Sequence, residues 1–427
     1  MSRYFLLGTS GIRSLKDLDE DKGEISYIPQ DRWLELALDY SWRIEVKEAD
    51  LPVLEKMKAV PGHLSGEYGM TFRGTTAGRK LVSDDPTEME NPYPLLDGRE
   101  VKAWSIEWQR RYIDYQPKLI SDPKTLEFFK APKVVARRIS LTSQAAVNEA
   151  SQPICLARDT VMIIRSPVKE LNDNPFVIAA LVNSLPLRYY GFLMLRAGVV
   201  QKGYSTFYPR VINSSPIPES TYTDSSIRNK LDSLSQGAHG TAKEMVNGAR
   251  DVLQTVDSLV GKNLAPFAHH PQSDLSGYFA EIDVPTAQVS NIGELTSSKL
   301  GVIKGHPTIL QYMVARAALE RREELSKATI ESFPVPKDLG VCVAALEQMD
   351  LWAQRKPTLS QKLAQIQSEI DELVLSAFTV LSGKERRYIK QRVKEFPLSQ
   401  VLAADEPSAP TKRIGVKYWE TGIRYKG

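Results

Sequence analysis

The sequence predicts an α+β protein in which a mixed α/β domain is followed by a helical spacer, a smaller α+β unit and a C-terminal helical region. Three observations predict it. Short apolar runs bounded by proline and charge, Val134-Val135-Ala136 and Thr160-Val161-Met162-Ile163-Ile164, read as buried strands. Apolar residues also recur at helical spacing, as in Leu363, Ile366, Ile370, Leu373 and Val374. Finally, one phrase occurs twice: Ile212-Asn213-Ser214-Ser215-Pro216-Ile217-Pro218 and Ile330-Glu331-Ser332-Phe333-Pro334-Val335-Pro336 both spell I-x-S-x-P-φ-P, with φ apolar.

Taken in order, residues 1–44 are a lead-in ending in a helix over 31–44, where Trp33, Leu36, Ala37 and Tyr40 share a face. The mixed domain spans 45–218. Within it, Phe176 to Leu195 reads as an apolar helical segment broken at Pro186, with Asn174 as N-cap and Pro175 at the first position. Residues 219–263 form the spacer, read as two helices separated by the breakers Gly237 and Gly240. The smaller unit covers 264–336 and the helical region 337–400, with a long helix from Leu359 to Phe378 and a basic helix from Ser382 to Phe396. A basic tail, 401–427, closes the chain. Prolines two apart fix an extended backbone without N–H donors, a way to leave a globular unit and enter a helix. Their recurrence predicts a duplicated plan of domain, helix, smaller domain, helix.

With 427 residues, 42% hydrophobic and 25% charged, the chain can build two or three proper cores. It contains no apolar run near the ~20 residues of a membrane span, and Met1 to Gly8 is too short an apolar stretch for a signal peptide. Cys155 and Cys342 sit among apolar neighbours and read as buried thiols of a reducing, cytoplasmic compartment. The net charge of +3 is unevenly spread: −6 over residues 1–100, +7 over 101–220 and +2 over 221–427. A basic middle suits the DNA backbone, whose counterions are released on binding. The same balance argues against a DNA-mimic inhibitor, which would be strongly acidic.

Catalytic signatures are absent from the pattern. Asn91-Pro92-Tyr93 lacks one proline of an adenine-clamping Asn-Pro-Pro-Tyr and has no apolar strand before it. The glycines from Gly69 to Gly78 do not form a strand–loop–helix phosphate cradle. Asp85 with Glu100-Val101-Lys102 imitates a Mg²⁺-dependent nuclease, but the resemblance described below implies that the second part is a structural turn. The five histidines have no metal-ligand spacing. Tyr189, Tyr190 and Phe192 read as core. The stripe from Leu363 to Val374 reads either as core or as a helix-on-helix seam for a partner.

What remains is DNA recognition. Arg73, Thr75, Thr76, Arg79 and Lys80 make a glycine-flexed basic loop able to approach DNA closely. Arg110, Arg111, Lys118, Lys133, Arg137 and Arg138 are candidates for phosphate contacts. Gln201, Lys202 and Tyr204 join amide, amine and hydroxyl donors in one loop, as base reading requires.

Six phrases add a resemblance. Phe72-Arg73-Gly74-Thr75-Thr76-Ala77-Gly78-Arg79-Lys80 is followed by Pro94-Leu95-Leu96-Asp97-Gly98-Arg99-Glu100-Val101 and Ala131-Pro132-Lys133-Val134-Val135-Ala136-Arg137-Arg138. Then come Ala180-Leu181-Val182-Asn183-Ser184-Leu185, Gly203-Tyr204 and Ser215-Pro216-Ile217-Pro218. In this order they resemble the TaqI-like C-terminal specificity domain, the DNA-reading part of type IIG restriction-modification enzymes and related adenine-N6 methyltransferases. The resemblance covers roughly residues 25 to 218. It implies that 45–218 is a target-recognition domain docking in the major groove, with the loop at Arg73 near the target base. It further implies that this chain is not itself an enzyme and holds no cofactor. S-adenosylmethionine would sit in a partner adenine-N6 methyltransferase, with double-stranded DNA and a restriction subunit as further partners in a phage-defence system. The overall plan also resembles a type I specificity subunit, although the second unit is much shorter than the first. The alternative is the C-terminal recognition part of a single-chain type IIG methyltransferase-endonuclease.

Overall fold

A computed structural model describes residues 2–5, 25–28, 46–67, 70–76, 78–121, 123–130, 132–140, 143–149, 154–165, 174–200, 204–207, 209–271, 273–274, 281–297, 302–320, 322 and 324–396. The chain is mixed helix and sheet and divides into two compact units, 1–240 with 364–427, and 241–363. The helix expected over 31–44 and the tail from 401 lie outside the described residues.

In the first unit the two strand runs read from the sequence lie side by side. Lys133–Arg137 and Val161–Arg165 pair antiparallel, flanked by Ala145–Asn148 and Met70–Arg73. A second four-stranded sheet has the order Leu156–Ala157, Pro92–Leu96, Tyr112–Asp114, Val82–Ser83, its first pair parallel. Leu95, Ile113, Phe129, Val135, Val161 and Ile163 form one buried cluster of this unit. Both faces of the Lys133–Arg137 strand are covered, so all five of its residues are buried, as a strand of near-continuous apolar character demands.

The apolar segment after Asn174 divides as expected, with Pro175 at the start of the helix Pro175–Asn183. The break falls at Ser184, whose backbone is extended, and Pro186 lies in the first turn of the next helix, Leu185–Tyr190. A π-turn, Gly191–Leu195, then leads into a hairpin of Arg196–Val200 with Tyr204–Phe207. Among the described residues no single helix is long and apolar enough to cross a membrane.

Two helical expectations are corrected. Gly237 and Gly240 do not divide the spacer, because one helix runs from Ser225 to Val260. A glycine inside a helix costs only about 1 kcal/mol, and a Cβ at Gly237 would come within ordinary contact of Ile366. The long C-terminal helix starts at Leu339 rather than Leu359 and carries Pro357 inside it. Pro357 is exposed, which limits the cost of its missing N–H. The basic helix appears as Gly383–Val393, entered by a reciprocal cap between Ser382 and Glu385.

One buried anchor in the first unit was invisible in the sequence. Trp104, in the hairpin Val101–Ile106, adopts the left-handed backbone at φ 69° and is 1% exposed. That conformation costs a non-glycine residue roughly 1–2 kcal/mol, and three contacts offset it. Its indole N–H donates to Gln367 at 2.8 Å, its amide donates to the Ala145 carbonyl at 3.0 Å, and its carbonyl lies 2.8 Å from His239 Nδ1. His239 Nε2 lies 2.6 Å from Glu149, and the Gln367 amide donates onward to the Asn183 carbonyl and to Asp371.

The second unit has its own four-stranded antiparallel sheet, ordered Ser273–Asp274, Val302–Gly305, Glu294–Thr296, Gln288–Val289. Phe267, Leu295, Ile303, Leu310, Phe333 and Cys342 belong to its buried cluster.

The repeated phrase occupies the same frame in both units. In the first, Pro216 pairs with His63 and Ile217 with Gly62, antiparallel. In the second, Pro334 pairs with Pro266 and Val335 with Ala265, also antiparallel. Ser215 N donates to the Ile212 carbonyl and Phe333 N to the Ile330 carbonyl, each at 3.0 Å. The next bond repeats as well: Leu64 N donates to Ser215 O at 3.1 Å and Phe267 N to Phe333 O at 2.9 Å. Each phrase begins in the last two residues of a five-residue helix, Pro209–Asn213 or Lys327–Glu331; a helix of more than thirty residues comes after it, in the first unit beyond the short helix Ser220–Thr223.

Candidate nucleic-acid interface

The loop after the strand Met70–Arg73 is held from both sides. Gly74 N donates to the Val161 carbonyl at 3.0 Å and Thr75 N to the Ala157 carbonyl at 2.8 Å. Thr76 bridges Ser121, with bonds of 3.3 and 3.1 Å in the two directions. Gly74 is required here by close packing, since a Cβ would collide with the carbonyl oxygens of Ala157 and Arg158. The lack of a side chain at Gly74 thus serves contact within the unit. Thr75 is buried, and Thr76 is half-buried. Arg73 and Lys80 are exposed, so they are the loop's outward cations. Arg79 starts the short turn Arg79–Leu81, and its side chain lies outside the described residues.

The Thr76–Ser121 bridge sets this loop beside the turn Pro117–Leu119, which carries the exposed Lys118. The same stretch borders an open cleft of about 580 Å³ lined by Tyr93, Tyr115, Pro117, Pro123 and Lys124 among others. Arg110 is exposed and has a left-handed backbone at φ 58°. Of the expected cations, Arg73, Lys80, Arg110 and Lys118 are exposed.

Other expected contacts are corrected by burial. Lys133 is 2% exposed; its ammonium donates to the carbonyl of Phe129 and, at 3.0 Å, to that of Cys155. Arg137, also 2% exposed, ends the inner strand Lys133–Arg137 of the first sheet. Neither can reach a phosphate, and both are structural cations. Arg111 is turned inward as well, 3.6 Å from Asp97 and 3.5 Å from Glu100. Arg138 is half-buried and donates to the Asp159 carbonyl at 3.1 Å. Gln201 and Lys202 lie outside the described residues; Tyr204 opens the strand Tyr204–Phe207, but its side chain is not among those described.

The residues that shape this face, and that residue-type reasoning missed, are Asp97, Arg158 and Thr160. Asp97 caps the turn Gly98–Glu100, and Glu100 reaches back to the Asp97 amide at 2.5 Å. Arg158 pairs with Asp97 at 3.2 Å, and the Thr160 hydroxyl accepts from Gly98 N at 2.9 Å. The D-x-x-E spacing of a capping box was the legible signal. Burial pushes the Glu100 carboxyl above its ordinary range, opposed by the amides of Asp97 and Gln109 and by Arg111. Asp85, by contrast, is exposed, and its carboxyl is lowered by the Thr87 hydroxyl and amide. The nuclease-like pattern therefore separates into a buried capping residue and an exposed turn residue.

Residues 93–197 match the TaqI-like C-terminal specificity domain. No curated protein matches the chain. Among solved structures, the HsdS subunit from Thermoanaerobacter tengcongensis is similar at 9% identity and a TM-score of 0.27, over 70% of this chain and 93% of that one. The type I restriction-modification system S subunit from M. genitalium is similar at 9% identity and a TM-score of 0.24, over 76% of this chain and 95% of that one. At such TM-scores neither likeness bears on function.

Proposed function

We propose that the chain is the DNA sequence-specificity subunit of a restriction-modification or related phage-defence system. The observation that carries this reading is the specificity-domain match over residues 93–197. That stretch falls in the part of the sequence with excess positive charge, and in the unit that exposes Arg73, Lys80, Arg110 and Lys118. The first unit reads duplex DNA: exposed cations hold the backbone and fix the register, while side chains at base edges select the site. The partner is an adenine-N6 methyltransferase that binds S-adenosylmethionine and modifies the site this chain selects, with a restriction subunit as a further partner. The chain itself contributes positioning and no bond-making step.

The test is genetic and chemical together. Deleting the gene in its host should erase one N6-methyladenine motif from the methylome, and an affinity-tagged chain should co-purify an adenine methyltransferase. A methylome that keeps every motif contradicts the proposal. Recovery of these peptides only inside one larger polypeptide that carries the methyltransferase would favour a fused enzyme.

A further inference from the structure

We propose that one exposed face of the helix Gly383–Val393 is a second contact for the DNA backbone, a reading that rests on the function proposed above. Lys384, Arg387, Gln391 and Lys394 stand at i, i+3, i+7 and i+10, within one side of the helix cylinder, and all four are exposed. The opposite side is the packed one, with Ile389, Arg392 and Val393 buried.

The pairing pattern singles this face out. Every other cation of the helix is engaged. Arg386 donates to the Phe378 carbonyl at 3.3 Å, Lys390 pairs with Glu372, and Arg392 pairs with Asp50 at 3.3 Å and Glu395 at 2.6 Å. The helix's acids are also neutralised: Glu385 by Lys56 at 2.8 Å, and Glu395 by Lys47 at 2.7 Å. Lys384, Arg387 and Lys394 have no ion-pair partner among the described residues. Three uncompensated charges on one rigid face make a local positive field, which attracts a polyanion at distances of about a Debye length.

Rigidity and place favour DNA as the polyanion. The Ser382–Glu385 cap fixes the start of the helix. Its end is fixed by Phe396, stacked on Phe192 with ring centroids 4.0 Å apart and planes 18° apart. Phe192 belongs to the π-turn Gly191–Leu195, from which the hairpin Arg196–Val200 with Tyr204–Phe207 departs. The end of the helix thus packs, by the side opposite its basic face, on the turn that leads into the hairpin whose loop the sequence reads as base-contacting. From Lys384 to Lys394 the helix advances about 15 Å at 1.5 Å per residue. One DNA strand offers about four phosphates over that length, at 3.4 Å of rise each.

The experiment uses the full chain with its co-purified methyltransferase and compares wild type with K384Q/R387Q/K394Q. Binding to target and non-target duplexes is titrated by anisotropy at several salt concentrations, beside the K390Q control, which removes only a paired cation. The triple variant should lower the slope of log affinity against log salt by about 2 to 3, at about 0.9 per phosphate contact. Both duplexes should weaken equally, and the melting temperature should stay unchanged. An unchanged slope, with wild-type preference for the target intact, overturns this inference alone. Loss of the co-purifying methyltransferase at an unchanged slope overturns it in favour of an acidic protein surface. A wild-type complex with no target preference contradicts the proposed function as well.

Discussion

The strand Pro216–Ile217 in the first unit and the strand Pro334–Pro336 in the second share a backbone frame and differ in what fills it. In the first, Gly62 faces Ile217, and a Cβ there would lie 2.7 Å from the Ile217 carbonyl and the Tyr222 ring. In the second, the equivalent position is Ala265, which carries that Cβ. Before the first proline pair stands a small buried residue, Ser215; before the second stands Phe333, 2% exposed, with the Arg322 guanidinium 5.5 Å above its ring. The frame follows from proline geometry, which any unit can reuse. The filling is set by volume: a neighbouring ring in one unit excludes a methyl group, while the other needs a phenyl to close its core.

Substitutions inside the two frames should separate them. The largest effect is expected for Phe333→Ala, which empties a phenyl-sized space and costs about 3–5 kcal/mol in the second unit. Gly62→Ala should cost about 1–3 kcal/mol in the first, because the new methyl must displace a carbonyl or the Tyr222 ring. Ala265→Gly removes a methyl from the equivalent position and should cost about 1 kcal/mol or less. Denaturant titration reads the size of each loss.

Each unit also carries its own reporter. Cys155 is buried in the first and Cys342 in the second. Burial pushes the first thiol up to about 12 and the second up to about 11. Neither should react with a thiol reagent at pH 8 while folded. Phe333→Ala should speed labelling of Cys342 first, and Gly62→Ala that of Cys155 first. Labelling of both thiols at equal rates in each variant would mean that the frames do not stabilise separate units.

The same shifts give a pH dependence. A thiol with a raised folded value stays protonated when folded but ionises when unfolded. Stability is therefore full below the unfolded value near 8.5 and falls as pH rises towards 11 and 12. Tyr189, Tyr312 and Tyr388, raised chiefly by burial, act with the same sign. The denaturation midpoint should drop between pH 8 and pH 10.5. A comparably small effect is expected at the helix of the proposed second contact, where Ser382→Ala removes a cap and costs about 1 kcal/mol.

Much of the fold was legible where one local pattern decides the outcome. The runs at Val134 and Val161 are strands because a two-sided core accepts only apolar residues, and Pro175 starts a helix because its missing N–H has no partner to lose there. Patterns were misleading at Gly237, Gly240 and Pro357, residue types that often break helices but lie here inside continuous ones. The candidate site was legible in part. A sequence shows that Lys133, Arg137 and Arg111 are cations, but not that the first two are buried or that Asp97 and Glu100 hold the third. Trp104 carried no signal, since its left-handed backbone depends on partners 135 and 263 residues away in sequence.

Selection from a randomised duplex library tests the central claim most directly. The full chain, with its co-purified methyltransferase, is incubated with the library, and the retained DNA is sequenced. The account predicts enrichment of one defined motif, the same motif that the complex methylates at adenine N6, and weaker enrichment when Arg73, Lys80, Arg110 and Lys118 are together replaced by Gln. Retention of DNA with no enriched motif, or a motif that the methyltransferase selects equally well without this chain, would contradict it.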